Sequence, residues 1–147
     1  MKDGVDKRYD VYSIGNPLMD ILVQIEDKFL EEIGVTKGIM HLIDTERRTT
    51  ILDRIENPLV APGGSAANTI IHAADFGLNV IYSGAIGEDD FGEQFITGMK
   101  ERNCKVEAPK KSLPTGTSII LISPDAERTQ NTYLGACQQY EKGLFPP

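Results

Sequence analysis

An α/β fold, a mostly parallel sheet flanked by helices, is what this 147-residue sequence predicts, and three observations carry the prediction. Strand-like runs closed by glycine alternate with helical periods along most of the chain. Gly63-Gly64 leads into Ser65-Ala66-Ala67-Asn68-Thr69-Ile70-Ile71-His72-Ala73-Ala74, where Ala66, Ile70, Ala73 and Ala74 recur at helical spacing and form a flat face suited to lying on a sheet. The chain is long enough for one domain burying roughly 70% of its unfolded surface.

The elements follow in order. Tyr9–Gly15 is rich in β-formers and closes on the turn signal Gly15-Asn16-Pro17, giving a first strand. Met19 to Glu26 alternates, with Ile21, Val23 and Ile25 on one face and Asp20, Leu22, Gln24 and Glu26 on the other. That pattern describes a strand with one open face, unlike the continuous apolar runs of a parallel core. Asp27 caps a short helix ending at Gly34, Gly38 to Ile43 returns to a strand, and a helix from Asp44 to Glu56 stops at Asn57-Pro58. After the glycine stretch, Gly77 terminates the helix and Asn79 to Ile86 reads as one strand. Glu88 to Arg102 is a helix with an apolar stripe of Phe91, Phe95 and Met99, in which Asp90 and Glu93 have capping-box spacing. A short strand spans Cys104 to Ala108, and Pro109 to Gly116 reads as a solvated loop carrying Lys110 and Lys111. Thr117 to Ser123 and Thr129 to Gly135 form a hairpin with Arg128 near its tip.

Charge and composition exclude several classes of function. With 15 Lys plus Arg against 22 Asp plus Glu, the net charge is −7, which argues against nucleic-acid or anionic-membrane partners. No apolar run approaches the ~20 residues of a spanning helix, and the polar start Met1-Lys2-Asp3-Gly4 is unlike a signal peptide, so a cytoplasmic location is expected. Cys104 and Cys137 lack C-x-x-C spacing and read as free thiols, while His41 and His72 show no zinc pattern, so no metal site is expected. No G-x-S-x-G elbow supports a hydrolase, and no G-x-G-x-x-G follows the first strand to support a dehydrogenase.

Taken as residues alone, Gly63-Gly64 is either a tight turn at a helix start or a cradle whose backbone amides bind a hydroxyl or phosphate oxygen. Asp20 has the bland reading of a carboxylate bonding a turn amide. Arg128 has that of a surface charge.

Five pieces, in one order from Tyr9 to Ala136, carry a family likeness: Gly15-Asn16-Pro17-Leu18-Met19-Asp20, Gly63-Gly64-Ser65-Ala66-Ala67-Asn68, Gly84-Ala85-Ile86-Gly87-Glu88-Asp89-Asp90-Phe91-Gly92, Thr115-Gly116-Thr117, and Arg128-Thr129-Gln130-Asn131-Thr132-Tyr133-Leu134-Gly135-Ala136. In this the chain resembles the N-terminal half of the ribokinase or PfkB kinases, on their adenosine-kinase-like branch, with residues 1–147 as part of one ribokinase-like domain. Gln130 stands where the resembled run has methionine. The resemblance implies transfer of the ATP γ-phosphate, with Mg2+, to a primary hydroxyl of a nucleoside or sugar. It implies a small β lid built from residues of about 19–26, 38–43 and 117–135. By resemblance the acceptor is bound by Asn16, Asp20, Gly63, Gly64, Ser65, Asn68 and Thr117, and Arg128 stabilises the transferring phosphate. The family's G-A-G-D motif, with its catalytic Asp and anion hole, has no counterpart here, nor does the sequence contain a G-x-x-x-x-G-K-[ST] loop. The chain is therefore expected to supply the acceptor-binding half of a kinase and to be a poor catalyst alone. The competing expectation is a non-catalytic binding or dimerisation module, a homodimer formed through the lid or an exposed sheet edge, for which the run Ile119-Ile120-Leu121-Ile122 is the candidate.

Overall fold

Among the described residues two larger sheets and a two-stranded one, formed by Ile86–Gly87 and Lys110–Lys111, are distinct, and the polypeptide crosses between the larger two at turns that carry glycine. The computed structural model describes residues 9–141. Along it run β1 (Val11–Ile14), β2 (Leu18–Gln24), α1 (Asp27–Ile33), β3 (Met40–Leu42), α2 (Thr45–Leu52), β4 (Leu59–Gly63), α3 (Ser65–Asp75) and β5 (Val80–Ser83). They are followed by β6 (Ile86–Gly87), α4 (Asp90–Glu101), β7 (Lys105–Glu107), β8 (Lys110–Lys111), β9 (Gly116–Ile122), β10 (Arg128–Tyr133) and a 3-10 turn, Gly135–Gln139. The first sheet has the order β1-β5-β7 and is all parallel. The second has the order β3-β10-β9-β2-β4, in which β2 with β9 and β10 with β3 are parallel while β2–β4 and β9–β10 are antiparallel. The expected α/β class, with helices flanking mostly parallel strands, is what the structure has. Among the described residues no helix is long and apolar enough to cross a membrane.

Two buried clusters form the core, joined by Met19 of β2, which belongs to the first, and by Val60 and Phe91, which pack against both. Ala67, Ile70 and Ile71 of α3 and Phe95 and Met99 of α4 pack with Val80 and Tyr82 of β5, so the first sheet is covered by these two helices. The Tyr82 and Phe95 rings lie 5.6 Å apart in a tilted pair. Under the second sheet, Ile21, Val23, Ile119 and Leu121 pack with Leu30 and Ile33 of α1 and Ile51 of α2. Both helices lie on that one face, because the alternation of β2 leaves Asp20, Leu22 and Gln24 pointing the other way.

Several expectations are corrected. Glu26, not Asp27, takes the N-cap position of α1 and makes no side-chain cap bond. Asp27 is one residue too far in, and its carboxylate instead accepts from Lys37 at 2.8 Å. The helix expected from Asp44 to Glu56 is present as α2, with Asp44 as its cap, but it stops at Leu52 rather than Glu56. There the Arg54 N–H turns to the Ile51 carbonyl, and the Arg54 side chain is drawn to Glu32 and to the Phe29 ring. The strand β4 was not expected at all. Its sequence Leu-Val-Ala-Pro-Gly has no alternation and holds a proline, which a sheet tolerates at an edge, and β4 is an edge. The strand expected over Asn79–Ile86 is broken at Gly84-Ala85 into β5 and β6. Asp89 and Asp90 both stand at the start of α4, with Asp89 as the cap accepting from the Gly92 N–H at 2.9 Å, and the capping box of Asp90 with Glu93 is not formed, Glu93 pairing with Lys110 instead. Lys110 and Lys111 form the short strand β8 beside β6 rather than a free loop. The Ile119–Ile122 run lies in β9, which is paired on both sides, so it offers no open edge. Cys104 and Cys137 are free, as expected; both are buried, and burial pushes the Cys137 thiol up to about 12.

One carboxylate ties β6 and the start of α4 to the segment that enters β9. Asp89 Oδ1 accepts from the Thr115 hydroxyl at 2.5 Å and Oδ2 from the Thr115 N–H at 2.8 Å, while the Thr115 hydroxyl accepts from the Gly87 N–H at 2.9 Å. The start of α4 thus holds the chain just before it enters β9. Burial works to raise the Asp89 pKa, but the Thr115 and Gly92 hydrogen bonds and the Arg48 charge outweigh it, and the net shift is downward. A depressed folded pKa means that this contribution is present above the unfolded carboxylate value of 3.8 and is lost as pH falls through the folded value. Asp89→Ala should therefore lower stability at neutral pH by about 1–2 kcal/mol, and its deficit in urea melts should shrink below the carboxylate range. A second expectation concerns Asn131, fully buried under the second sheet with neither amide atom hydrogen-bonded. Because an unpaired buried amide costs about 1–3 kcal/mol, Asn131→Leu should melt at or above the wild-type temperature.

Candidate functional site

The register of the second sheet decides which side chains meet. Residues paired across neighbouring strands share a face, so Ala61, Asp20, Ser118, Thr132 and Leu42 form one row across the sheet. The next row on that face is Leu59, Leu22, Ile120, Gln130 and Met40, and beyond it come Gln24, Ile122 and Arg128. This is the face turned away from α1 and α2. It is mixed, with Asp20, Gln24, Gln130 and Arg128 beside apolar side chains of which Leu59 is 68%, Leu42 67% and Met40 53% exposed.

Asp20 is the acidic residue of the first row, and it is set directly on the glycine turn. A Cβ on Gly63 would lie 2.2 Å from the Asp20 carboxyl carbon and 2.3–2.4 Å from its oxygens. Only glycine leaves that space open. Gly64 follows with φ of 95°, and a Cβ there would come within 2.8 Å of the Asn16 carbonyl. It is the N-cap of α3 and provides no side-chain cap, so the first turn of that helix presents backbone N–H groups at this point. Among the described residues no donor hydrogen-bonds the Asp20 carboxylate, and its partial burial raises its pKa. The turn-amide role open to Asp20 on sequence alone is not what it does here.

The other expected residues are distributed around this centre. Asn16 is exposed, and its backbone carbonyl is what closes against Gly64. Ser65 is the first residue of α3, exposed, and its carbonyl accepts from the Thr69 hydroxyl. Asn68 lines a cleft of about 330 Å3 with Ala61, the row partner of Asp20, and with Pro62, Ile71 and His72. Thr117 points to the opposite face: it is fully buried, in register with Met19 and Tyr133, and accepts from Arg48 Nε at 3.2 Å. Arg128 shares the face of Asp20 but lies two strands over and four residues along, roughly 16 Å away by strand geometry. The structure therefore brings Asp20, Gly63, Gly64 and the start of α3 together, puts Asn68 one turn into that helix in a cleft closed by Gly98, Glu101 and Arg102 of the α4 side, and leaves Thr117 and Arg128 apart.

Arg48 is a residue that sequence reasoning missed. Its guanidinium lies 5.7 Å from the Phe91 ring centroid and 5.6 Å from that of Tyr133, linking α2, β10 and α4. Burial lowers its pKa, opposed by the charge of Asp89. As one of two adjacent arginines in an exposed-looking helix, it carried no signal that set it apart from Arg47.

Comparison with known proteins places this arrangement. Residues 29–145 match the family model described as pfkB family carbohydrate kinase. The adenosine kinase of Schizophyllum commune is 29% identical over 140 residues, covering 91% of this chain and 40% of that protein. Among solved structures, the adenosine kinase from Sinorhizobium meliloti superposes with a TM-score of 0.84 at 35% identity, over 95% of this chain and 43% of the other. A probable sugar kinase from Rhizobium etli CFN 42 gives 0.81 at 36% identity, over 90% of this chain and 41% of its own. The chain thus spans about 40% of the length of these relatives. With the family model matched over most of its residues and the same α/β arrangement recurring in those kinases, this chain belongs to the pfkB carbohydrate kinase family.

Proposed function

We propose that this chain supplies the acceptor-binding part of an ATP-dependent small-molecule kinase and holds the hydroxyls of a nucleoside or sugar at Asp20. The observation that carries this reading is the half-buried Asp20 carboxylate, without a protein partner among the described residues, resting in the space that the missing side chain of Gly63 leaves. A carboxylate accepts two O–H donors from a vicinal diol, and such charge-assisted bonds contribute about 1.5–3 kcal/mol each. Gly64 and the first turn of α3 offer backbone N–H groups to the same oxygens, and Asn68 offers its amide from the neighbouring cleft. Arg128, on the same face and without an ion-pair partner among the described residues, would serve the transferring phosphate after this sheet closes over the acceptor. Its roughly 16 Å separation from Asp20 requires that the reacting hydroxyl point toward that end of the sheet.

ATP use is implied by the family, and nothing in the described residues is assigned to it or to Mg2+. Among those residues no three His, Cys, Asp or Glu side chains converge. The catalytic base and anion hole would come from residues outside this segment. A second reading, a cytoplasmic assembly module that dimerises through the second sheet, draws on the exposed Leu59, Leu42 and Met40.

Titration of the chain with adenosine, ribose and fructose tests the first reading. At least one should bind, and Asp20→Asn should weaken it tenfold or more. Because burial raises the folded pKa of Asp20, its ionised form destabilises the fold above that pKa and the penalty is relieved as pH falls through it. Asp20→Asn should therefore also melt higher than the wild type at pH 7, with the gap closing at acid pH. Binding of none of the three, with a dimer in sedimentation that Leu59→Lys disrupts, would sustain the assembly reading instead. An ATP-consumption assay on the chain alone should show no turnover; turnover would place the base within these 147 residues.

A further inference from the structure

Met19, Thr117 and Tyr133 lie in register on the face of the second sheet turned toward α2, one residue before Asp20 and Ser118 and on the side opposite to them. Arg48 reaches this row from α2. Its Nε donates to the Thr117 hydroxyl at 3.2 Å, and its guanidinium lies over the Phe91 and Tyr133 rings. Phe91 packs against both buried clusters, and Met19 belongs to the one that holds α3 and α4, so this row is the seam at which the second sheet meets the helices of the first. Among the described residues no carboxylate is in ion-pair contact with Arg48, and the Asp89 charge acts on it from a greater distance. A half-buried guanidinium held in this way carries a desolvation cost that an apolar side chain of similar length, packed between the same two rings, would not. Packing alone therefore does not account for an arginine here. What the arginine adds is direction. Apolar contacts such as those of Met19 and Val60 tolerate small sliding movements, whereas a hydrogen bond weakens steeply when its length or angle is disturbed.

We propose that Arg48 is a positioning residue for the candidate site, acting on a bound hydroxyl only through Asp20, by fixing β2 and β9 against α4 and the start of α3. The inference rests on the reading of Asp20 as the hydroxyl-binding residue and goes further by naming what holds that carboxylate in place. Asp20 follows Met19 in β2, and its cross-strand neighbour Ser118 follows Thr117 in β9. Opposite them, Gly64 caps α3, whose Ala67, Ile70 and Ile71 pack in the same cluster as Met19. The two sides of the site thus come from different layers, the carboxylate from β2 and the backbone N–H groups from the first turn of α3. A shift of β2 and β9 along the seam would move one side relative to the other, and the bond from Arg48 to Thr117 opposes that shift. Because a hydroxyl must reach both sides at hydrogen-bond distance, a displacement of about 1 Å is enough to weaken its binding.

The test is a double-mutant cycle read in affinity. Wild type, Arg48→Met, Asp20→Asn and the double variant are titrated with adenosine, ribose and fructose, the tightest of the three is followed, and thermal melts check that each protein is folded. Arg48→Met should weaken binding about fivefold in the wild-type background and by less than about twofold in the Asp20→Asn background, where the route to the ligand is already cut. Arg48→Lys keeps the cation but lacks the planar fork that meets the rings and Thr117 together, so its affinity should fall between those of Arg48→Met and wild type. A residue that contributes only stability would lower the melting temperature of Arg48→Met and leave the affinity of the folded protein unchanged, and that result overturns the proposal. An equal loss in both backgrounds also overturns it, by showing that Arg48 does not act through Asp20; in either case weakened binding by Asp20→Asn leaves the hydroxyl-binding reading standing. If Arg48→Met does not fold, Arg48→Lys is carried through the same cycle and decides by the same comparison. Should none of the three ligands bind the wild type, the hydroxyl-binding reading fails and this inference falls with it.

Discussion

The contact between the Asp20 carboxylate and the α-carbon of Gly63 constrains this region of the molecule more than any other. It joins the second strand of the chain to the turn that leads into α3, and it is possible only because position 63 has no side chain. The β2–β4 pairing delivers the two residues to the same end of the sheet, and the alternation of β2 sends Asp20 to the uncovered face. From that placement follow the partial burial of the carboxylate, its raised pKa and its lack of a protein partner among the described residues. A group left in that condition costs stability in the unliganded protein, which is the usual mark of a residue kept for binding.

The separation into two larger sheets has its own logic. The first sheet is parallel and is covered by α3 and α4, whereas the second is mixed, with α1 and α2 under one face only. A parallel sheet depends on burial, but a mixed sheet can leave a face open. Asp89 and Arg48 sit where the two meet. The first holds Thr115 at the entry to β9, and the second rests against Phe91 of α4 and Tyr133 of β10. Both contacts lie across the chain crossings, where Met19 of β2 packs into the core under α3 and α4 and Val60 and Phe91 touch both cores, so apolar contacts as well as polar and cation–π ones set the orientation of the open face relative to α3.

What could be read in the sequence was whatever depends on local periodicity. The alternation at Ile21, Val23 and Ile25 identified β2, and the stripe Phe91, Phe95, Met99 identified α4, since both are short-range patterns that burial reproduces. The glycine pair and Asp20 were legible as motif positions. Their direct contact was not, because it depends on a register between strands distant in sequence. β4 escaped notice because an edge strand next to a turn needs neither alternation nor β-branched residues. Arg48 and the orientation of Thr117 depend on packing among α2, α4 and β10, which no local pattern encodes. The open face beyond Asp20 was likewise hidden, being assembled from single residues of five strands.

The close approach of Asp20 to Gly63 also bears on how this protein can change over evolutionary time. A side chain larger than hydrogen at position 63 displaces the carboxylate, so the present placement of Asp20 requires glycine at 63. Once Asp20 is lost, that requirement lapses. The two positions should therefore be inherited as a pair, and a lineage that has abandoned the site should reveal it first by relaxed variation at Gly63.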